Sequence, residues 1–255
     1  MLLDKWYLDL VTDEGLTVIS YAATARVAGL RVGYSAELVA PRGQRASERW
    51  RWRSEPPRRE SDGLSWRCPG LSVHGLWRGQ APAISVRLLD CAAGGIQWRV
   101  VQPRAAAAIR LDDGRTFRGT GYVERLRLTL PPWRLPFDEL RWGRFHGETS
   151  TLVWIDWRGG MRRQWAYLDG HPVEEISIDD RHVHAGGARL DLTASAILRD
   201  APLLNVLGRW RTAGRLMAPS QARSHETKWL SRGELRRADG RTDHGWGIHE
   251  VVRWR

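Results

Sequence analysis

Two cysteines, Cys68 and Cys91, are all that the 255 residues contain. That is too few for a disulfide framework, and their spacing is not that of a zinc site. Both are expected to be free thiols, and no metal is expected. No run of about 18 apolar residues occurs, so a membrane-spanning helix is excluded. The opening Met1-Leu2-Leu3-Asp4-Lys5 does not start an apolar stretch of signal-peptide kind. The expected location is cytoplasmic, with peripheral contact to a membrane surface left open. A glycine-rich phosphate loop ahead of a helix is missing, as is a strand–nucleophile–helix elbow, and no cofactor is expected. Helical periodicity is nearly absent too; a short helix within Ala201–Leu216 is the one candidate.

Lysine is the other scarce residue, since Lys5 and Lys228 are the only ones among 40 Lys and Arg side chains. A net charge of +11 would suit phosphates, which basic proteins bind through counterion release. The arginine skew reads instead as codon bias, and the arginines are dispersed. The densest group, Arg45 to Arg59, also carries Glu48 and Glu55, with Glu60 beside it, so nucleic acid is not the expected partner. With 42% hydrophobic and 27% charged residues, the chain has an ordinary globular composition and should fold.

What is present is a repeat. Asp113-Gly114-Arg115-Thr116, then Gly119, Gly121 and Glu124, recur as Asp239-Gly240-Arg241-Thr242, then Gly245, Gly247 and Glu250, every pair 126 positions apart. Between the copies lies Pro131-Pro132-Trp133-Arg134-Leu135-Pro136, a natural linker. Around them runs strand after strand, such as Leu30–Val39, Ile96–Val101, Thr151–Trp157 and Glu226–Arg236. Turn signals such as Ala93-Gly94-Gly95, Arg158-Gly159-Gly160 and Asp169-Gly170 separate them. The pattern predicts an all-β chain of two duplicated antiparallel barrels or half-barrels, residues 1–130 and 131–255, because a sheet this long must curl or close.

Alternation puts Glu124 on a face with Tyr122, Leu126 and Leu128, and Glu250 on a face with Trp246, Ile248 and Val252. Both carboxylates are therefore expected to point into the apolar interior. A buried carboxylate needs a partner or keeps its proton. One reading makes one of them a general acid; the other makes both of them acceptors for an Arg or a Trp N–H that fix closure. Their symmetry favours scaffolding, and the paired glycines read as bulges or corners.

The opening Trp6-Tyr7-Leu8-Asp9, with Asp13-Glu14-Gly15-Leu16-Thr17-Val18-Ile19, resembles the start of the carotenoid 1,2-hydratase (hydroxyneurosporene synthase) family. Leu140-Arg141-Trp142-Gly143-Arg144-Phe145, with Val153-Trp154-Ile155-Asp156-Trp157, is similar to the opening of the second half in that wider group, which includes tocopherol-cyclase-like proteins. The resemblance implies two lipocalin-like domains and cofactor-free chemistry on an isoprenoid-like substrate: hydration of a carbon–carbon double bond, or cyclisation. A non-catalytic lipid- or pigment-binding protein is the alternative. A structural module whose basic surface meets a membrane or an acidic partner is a weaker third.

Such hydration needs a proton donor in a dry site, support for a cation, and a positioned water. Fifteen tryptophans are an ample supply of faces, each able to stabilise a cation by roughly 0.5 to 2 kcal/mol. Most are expected to be plain core. Asp156, among apolar neighbours on both faces, is the best single acid candidate, with a turn-adjacent structural carboxylate as its alternative. His146 is a candidate acid, base or water-positioning group, or an ordinary surface histidine. Glu124 and Glu250 complete the catalytic candidates. Trp6, Tyr7, Asp9, Trp142, Arg144, Trp154, Tyr122 and Trp246 are the candidates for holding an apolar ligand. His182 and His184 share a face but lack a third metal ligand.

Overall fold

The computed structural model describes residues 2–27, 29–71, 73–131, 134–202 and 224–254. The chain forms two compact units, Met1–Pro131 and Pro132–Arg255. The first holds β1 (Leu2–Val11), β2 (Thr17–Val27), β3 (Leu30–Ala40), β4 (Ser47–Arg51), β5 (Arg58–Glu60), β6 (Gly63–Cys68), β7 (Val73–Gly79), β8 (Ile84–Cys91), β9 (Gly94–Leu111) and β10 (Thr116–Leu128). The second holds β11 (Glu139–Gly147), β12 (Thr151–Arg158), β13 (Arg163–Leu168), β14 (His171–Val173), β15 (Ile176–Ile178), β16 (His182–Ala185), β17 (Ala188–Pro202), β18 (His225–Arg236) and β19 (Thr242–Arg253). Among the described residues there is no α-helix. Of the helix expected within Ala201–Leu216, Ala201 and Pro202 end β17 instead, and residues 203–216 lie outside the described residues.

Both sheets are antiparallel and have one topology. The first runs β4-β3-β2-β1-β10-β9-β7-β6-β5 and the second β14-β13-β12-β11-β19-β18-β17-β16-β15. Among the described residues only β8 lacks a separate counterpart. It continues β7 along β9, Val73–Gly79 pairing with Leu111 to Ala105 and Ile84–Cys91 with Val100 to Gly94. Unbroken β17 runs along β18 in the same way. Each sheet curls on itself in the lipocalin-like manner, so duplication is written into the strand order as well as the sequence.

The repeated residues are turn and clearance chemistry. Gly114 and Gly240 both sit at φ +84°, a conformation that costs glycine nothing. Asp113 Oδ1 accepts the Arg115 N–H at 3.0 Å and Asp239 Oδ1 the Arg241 N–H at 3.0 Å, closing two like hairpins. A Cβ at Gly119 would collide with the Val11 carbonyl, and one at Gly245 with that of His146. At Gly121 it would lie 2.7 Å from the Trp77 indole, and at Gly247 3.0 Å from Leu192. The glycines let bulky side chains cross the strand that closes each unit.

Inside the first unit, Leu8, Leu10, Val18, Trp66, Trp77 and Val123 belong to one core cluster. Trp66 and Trp77 are fully buried, each withdrawing roughly 200 Å² from water, on the order of 5 kcal/mol before conformational entropy. Inside the second unit, Phe145, Leu152, Trp154, Leu190, Leu192 and Leu235 do the same. Strand register carries each interior from strand to strand: Leu8 opposes Val123, and Phe145 opposes Leu152 and Gly247. On β10 and β19 the interior therefore takes Val123, Arg125, His249 and Val251. Glu124 and Glu250 share a face with Tyr122 and with Ile248 and Val252, as expected; those faces lie opposite the two clusters and are buried as well, Glu124 beside Trp98 and Glu250 beside Lys228. Asp9, with Tyr7, likewise lies opposite the Leu8–Leu10 face.

Candidate functional site

The second unit contains a cavity of about 330 Å³, bordered by side chains of β11, β12, β17, β18 and β19 and by the Asp179-Asp180-Arg181 turn. Its lining includes the apolar side chains of Trp154, Leu192, Ile178 and Val251. Gly143 permits this, since a Cβ there would strike the Trp154 indole. On one side stand Trp229, Ser231 and His249. The His249 ring stacks on Trp229 with centroids 5.1 Å apart and planes 22° apart. Its Nε2 lies 2.8 Å from the Ser231 hydroxyl.

Burial lowers the affinity of His249 for a proton to a pKa of about 4; Asp180 opposes this and Arg141 reinforces it. The imidazole is therefore neutral near pH 7. On the polar side, burial disfavours the charge on Arg141, but hydrogen bonds to Glu139 and Asp180 more than compensate. Its Nε donates to Glu139 at 2.6 Å, and Nη1 donates to Asp180. Arg253 donates to the other oxygen of Glu139 at 2.8 Å. Burial works against the charge of Glu139 also, and the two guanidiniums hold its carboxyl below the usual range. Asp179 is held ionised against its burial by the N–H groups of Arg181 and His182, so it is not a proton donor near neutral pH.

Of the sequence candidates, Trp142, Trp154 and Glu250 border this cavity. Glu250 accepts from Lys228, whose ammonium also lies 3.3 Å from Glu226 and 5.6 Å from the Trp142 ring centroid. Asp156 is fully buried on the interior face of β12 but does not border the cavity. Its Oδ2 accepts from Arg158 Nε at 2.6 Å, and its Oδ1 makes no hydrogen bond among the described residues. Arg144 is fully buried and donates to the Trp246 carbonyl at 3.1 Å. His146 opposes Trp246 across the same strand pair.

The remaining candidates belong to the first unit. Glu124 accepts from Trp98 Nε1 at 2.6 Å and from the Tyr122 hydroxyl at 2.7 Å, the N–H acceptor arrangement that the scaffolding reading anticipates. Tyr7 packs edge-on against Tyr21 and Tyr122. Asp9 gives its carbonyl to Trp77 Nε1 at 2.7 Å, and Trp6 lies under Arg125, 5.1 Å from the guanidinium. Among the described residues no group of three or more potential metal ligands gathers.

His249, Ser231, Trp229, Arg141 and Arg253 were not singled out from the sequence. A signal for His249 was nonetheless there: it shares the parity of Gly245 and Gly247, and glycines that clear bulky interior groups mark the interior face. The repeat also pairs His249 with Val123. Leu192, opposite Gly233, takes the place that Trp77 takes opposite Ala107. What Val123 and Trp77 fill in the first unit is thus lined by His249 and Leu192 in the second.

No family model matches the chain, and no curated protein is significantly similar to it. Solved structures share its fold. A protein of Nitrosomonas europaea provisionally named AttH superposes with a TM-score of 0.66 at 13% identity, over 99% of this chain and 93% of that one. CghA gives 0.61 at 12%, over 99% and 88%. Kievitone hydratase from Nectria haematococca gives 0.56 at 10%, over 98% and 88%.

Proposed function

We propose that the chain is a cofactor-independent acid–base enzyme of the hydratase type, adding water to a carbon–carbon double bond of an apolar, isoprenoid-like molecule held in the cavity of the second unit. Cyclisation of such a molecule would draw on the same groups. The observation that carries the proposal is His249: an imidazole kept neutral by burial, braced by Trp229 and Ser231, in the lining of a cavity to which Trp154, Leu192 and Ile178 also contribute. A neutral imidazole in a site partly closed to water is the group required to take a proton from an adding water. The reading requires the tautomer in which Nε2–H donates to Ser231 and Nδ1 is the basic nitrogen.

In the proposed reaction the double bond is conjugated with a carbonyl. The water oxygen bonds to the alkene carbon remote from it while His249 accepts a proton, and the electron pair of the double bond moves onto the carbonyl oxygen as an enolate. The imidazolium, made a stronger acid than usual by its burial, then delivers that proton to the other carbon, so one molecule of water is added in total. Trp154 and Trp229 lie against the apolar body of the substrate. Arg141 and Arg253 meet an oxygen substituent conjugated with the double bond, where charge develops as water adds. The hydratase among the structures of like fold supports the reading at the level of architecture alone. A second reading, a non-catalytic carrier of a lipid or pigment, is favoured by the pairing of both arginines with Glu139, which makes that wall a fixed rim.

The test is to purify the protein from its own host, identify by mass spectrometry an apolar compound that comes with it, and incubate the two in heavy-oxygen water. Label should enter the product with the native chain and fall by roughly 100-fold with His249→Phe, while the compound still binds. Binding without label incorporation by the native chain would establish the carrier reading instead.

A further inference from the structure

Four large apolar side chains are exposed among the described residues, and three of them, Leu30 at 71%, Trp50 at 39% and Trp52 at 45%, lie along one edge of the first unit. Leu30 opens β3 beside the β2–β3 turn. Tyr34 and Ala36 follow on the same face of the strand, and Trp50 opposes Ala36 across the β3–β4 pair. Trp52 packs edge-on against Trp50 at 5.4 Å and against Tyr34 at 6.3 Å. The strip is aromatic in its middle and aliphatic at its tip. It sits on β4, the terminal strand of the sheet.

Arginines flank it. Arg26 and Arg31 oppose each other beside the tip, whereas Arg49 and Arg51 alternate with Trp50 and leave from the other face of β4. Arg49 is held by Glu37 and Arg53 by Glu55. Arg26 and Arg31 are exposed and have no hydrogen-bond or ion-pair partner among the described residues. An exposed apolar strip that ends beside unpaired cations marks a binding surface.

We propose that this strip is a peripheral docking surface for an anionic lipid bilayer. Leu30, Tyr34, Trp50 and Trp52 enter the headgroup region, and the free guanidiniums meet lipid phosphates. Indole and phenol rings favour that depth because one end is apolar and the other hydrogen-bonds. Basic side chains add attraction to an anionic surface. Nucleic acid fits less well: Trp50 and Trp52 are 75° apart in plane and offer no parallel faces to successive bases, and Leu30 has none to stack. Strand addition by a protein is opposed by the charged side chains along β4.

The experiment is co-sedimentation of the full chain with phosphatidylcholine vesicles, with and without phosphatidylglycerol, across a salt series. The native chain should associate only with the phosphatidylglycerol-containing vesicles and be released by salt. Leu30→Ser, and separately the double variant Trp50→Ser/Trp52→Ser, should weaken association by about tenfold with unchanged thermal transitions; the exposed Leu30 gives a readout even where the double variant unfolds. No association by the native chain, or equal association by Leu30→Ser, would overturn the proposal. So would a strip that instead governs binding of a single-stranded oligonucleotide or the oligomeric state in solution.

Discussion

His249 illustrates how a single buried ring ties chemistry to stability. Its folded pKa of about 4 lies below the ordinary histidine value of 6.5, so the fold favours the neutral form. The stability this contributes is complete above pH 6.5, and it is lost as pH falls from 6.5 to 4, where the unfolded chain takes up a proton that the folded one refuses. The loss is at most about 3 kcal/mol. Denaturant titrations across that window should show a slope that His249→Phe flattens. Asp156 makes the opposite case. Locked to Arg158 and away from the cavity, it is expected to act through the fold: Asp156→Asn should cost about 2 kcal/mol by leaving Arg158 without its counter-charge, while label incorporation by the folded protein stays within a factor of two or so. A collapse of turnover at unchanged stability would restore Asp156 as a catalytic group.

Elements are held in register by glycines and by carboxylates that cap turns. Asp243, at the start of β19, accepts the N–H groups of Glu148, Thr149 and Ser150 at 2.8, 3.0 and 2.7 Å. It thereby fixes the β11–β12 turn. Burial raises its proton affinity, yet those N–H groups win and hold the carboxyl below its usual range. The depressed value means that its contribution is present at neutral pH and is lost as acid carries the solution down through the folded pKa. Asp243→Ala should cost roughly 2 to 3 kcal/mol at pH 7, because three N–H donors of the turn, that of Ser150 buried, lose a charged acceptor, and the deficit should shrink in acid. Equilibrium denaturation at both pH values measures it. The repeat passes over this residue, since position 117 in the first half is a phenylalanine.

On the scale of the whole molecule, duplication has given two like sheets and unlike interiors. The first is occupied by Trp66 and Trp77; the second has Leu192 where the first has Trp77. Leu192→Trp should plug the second cavity as Trp77 plugs the first. Overpacking should cost about 1 to 3 kcal/mol, and binding of an apolar fluorescent probe should disappear. Retained probe binding would place the ligand elsewhere.

The order of residues was enough to determine the all-β class, the duplication and the like Asp-Gly hairpins, because period-two alternation and turn chemistry are local and are set within a few residues. It was not enough to determine which face of β10 and β19 turns inward. Both faces of those strands carry apolar side chains and both are largely buried, so alternation alone does not say which one meets the core cluster; Val123 and His249 are on that face, and Glu124 and Glu250 on the other. Only the tertiary structure could bring Trp154, Trp229, Ser231 and His249 together around one space. Curling the sheet joins side chains from strands far apart in sequence, and the volume left over depends on the mismatch between Leu192 and Trp77, a packing difference that appears only once both sheets have closed.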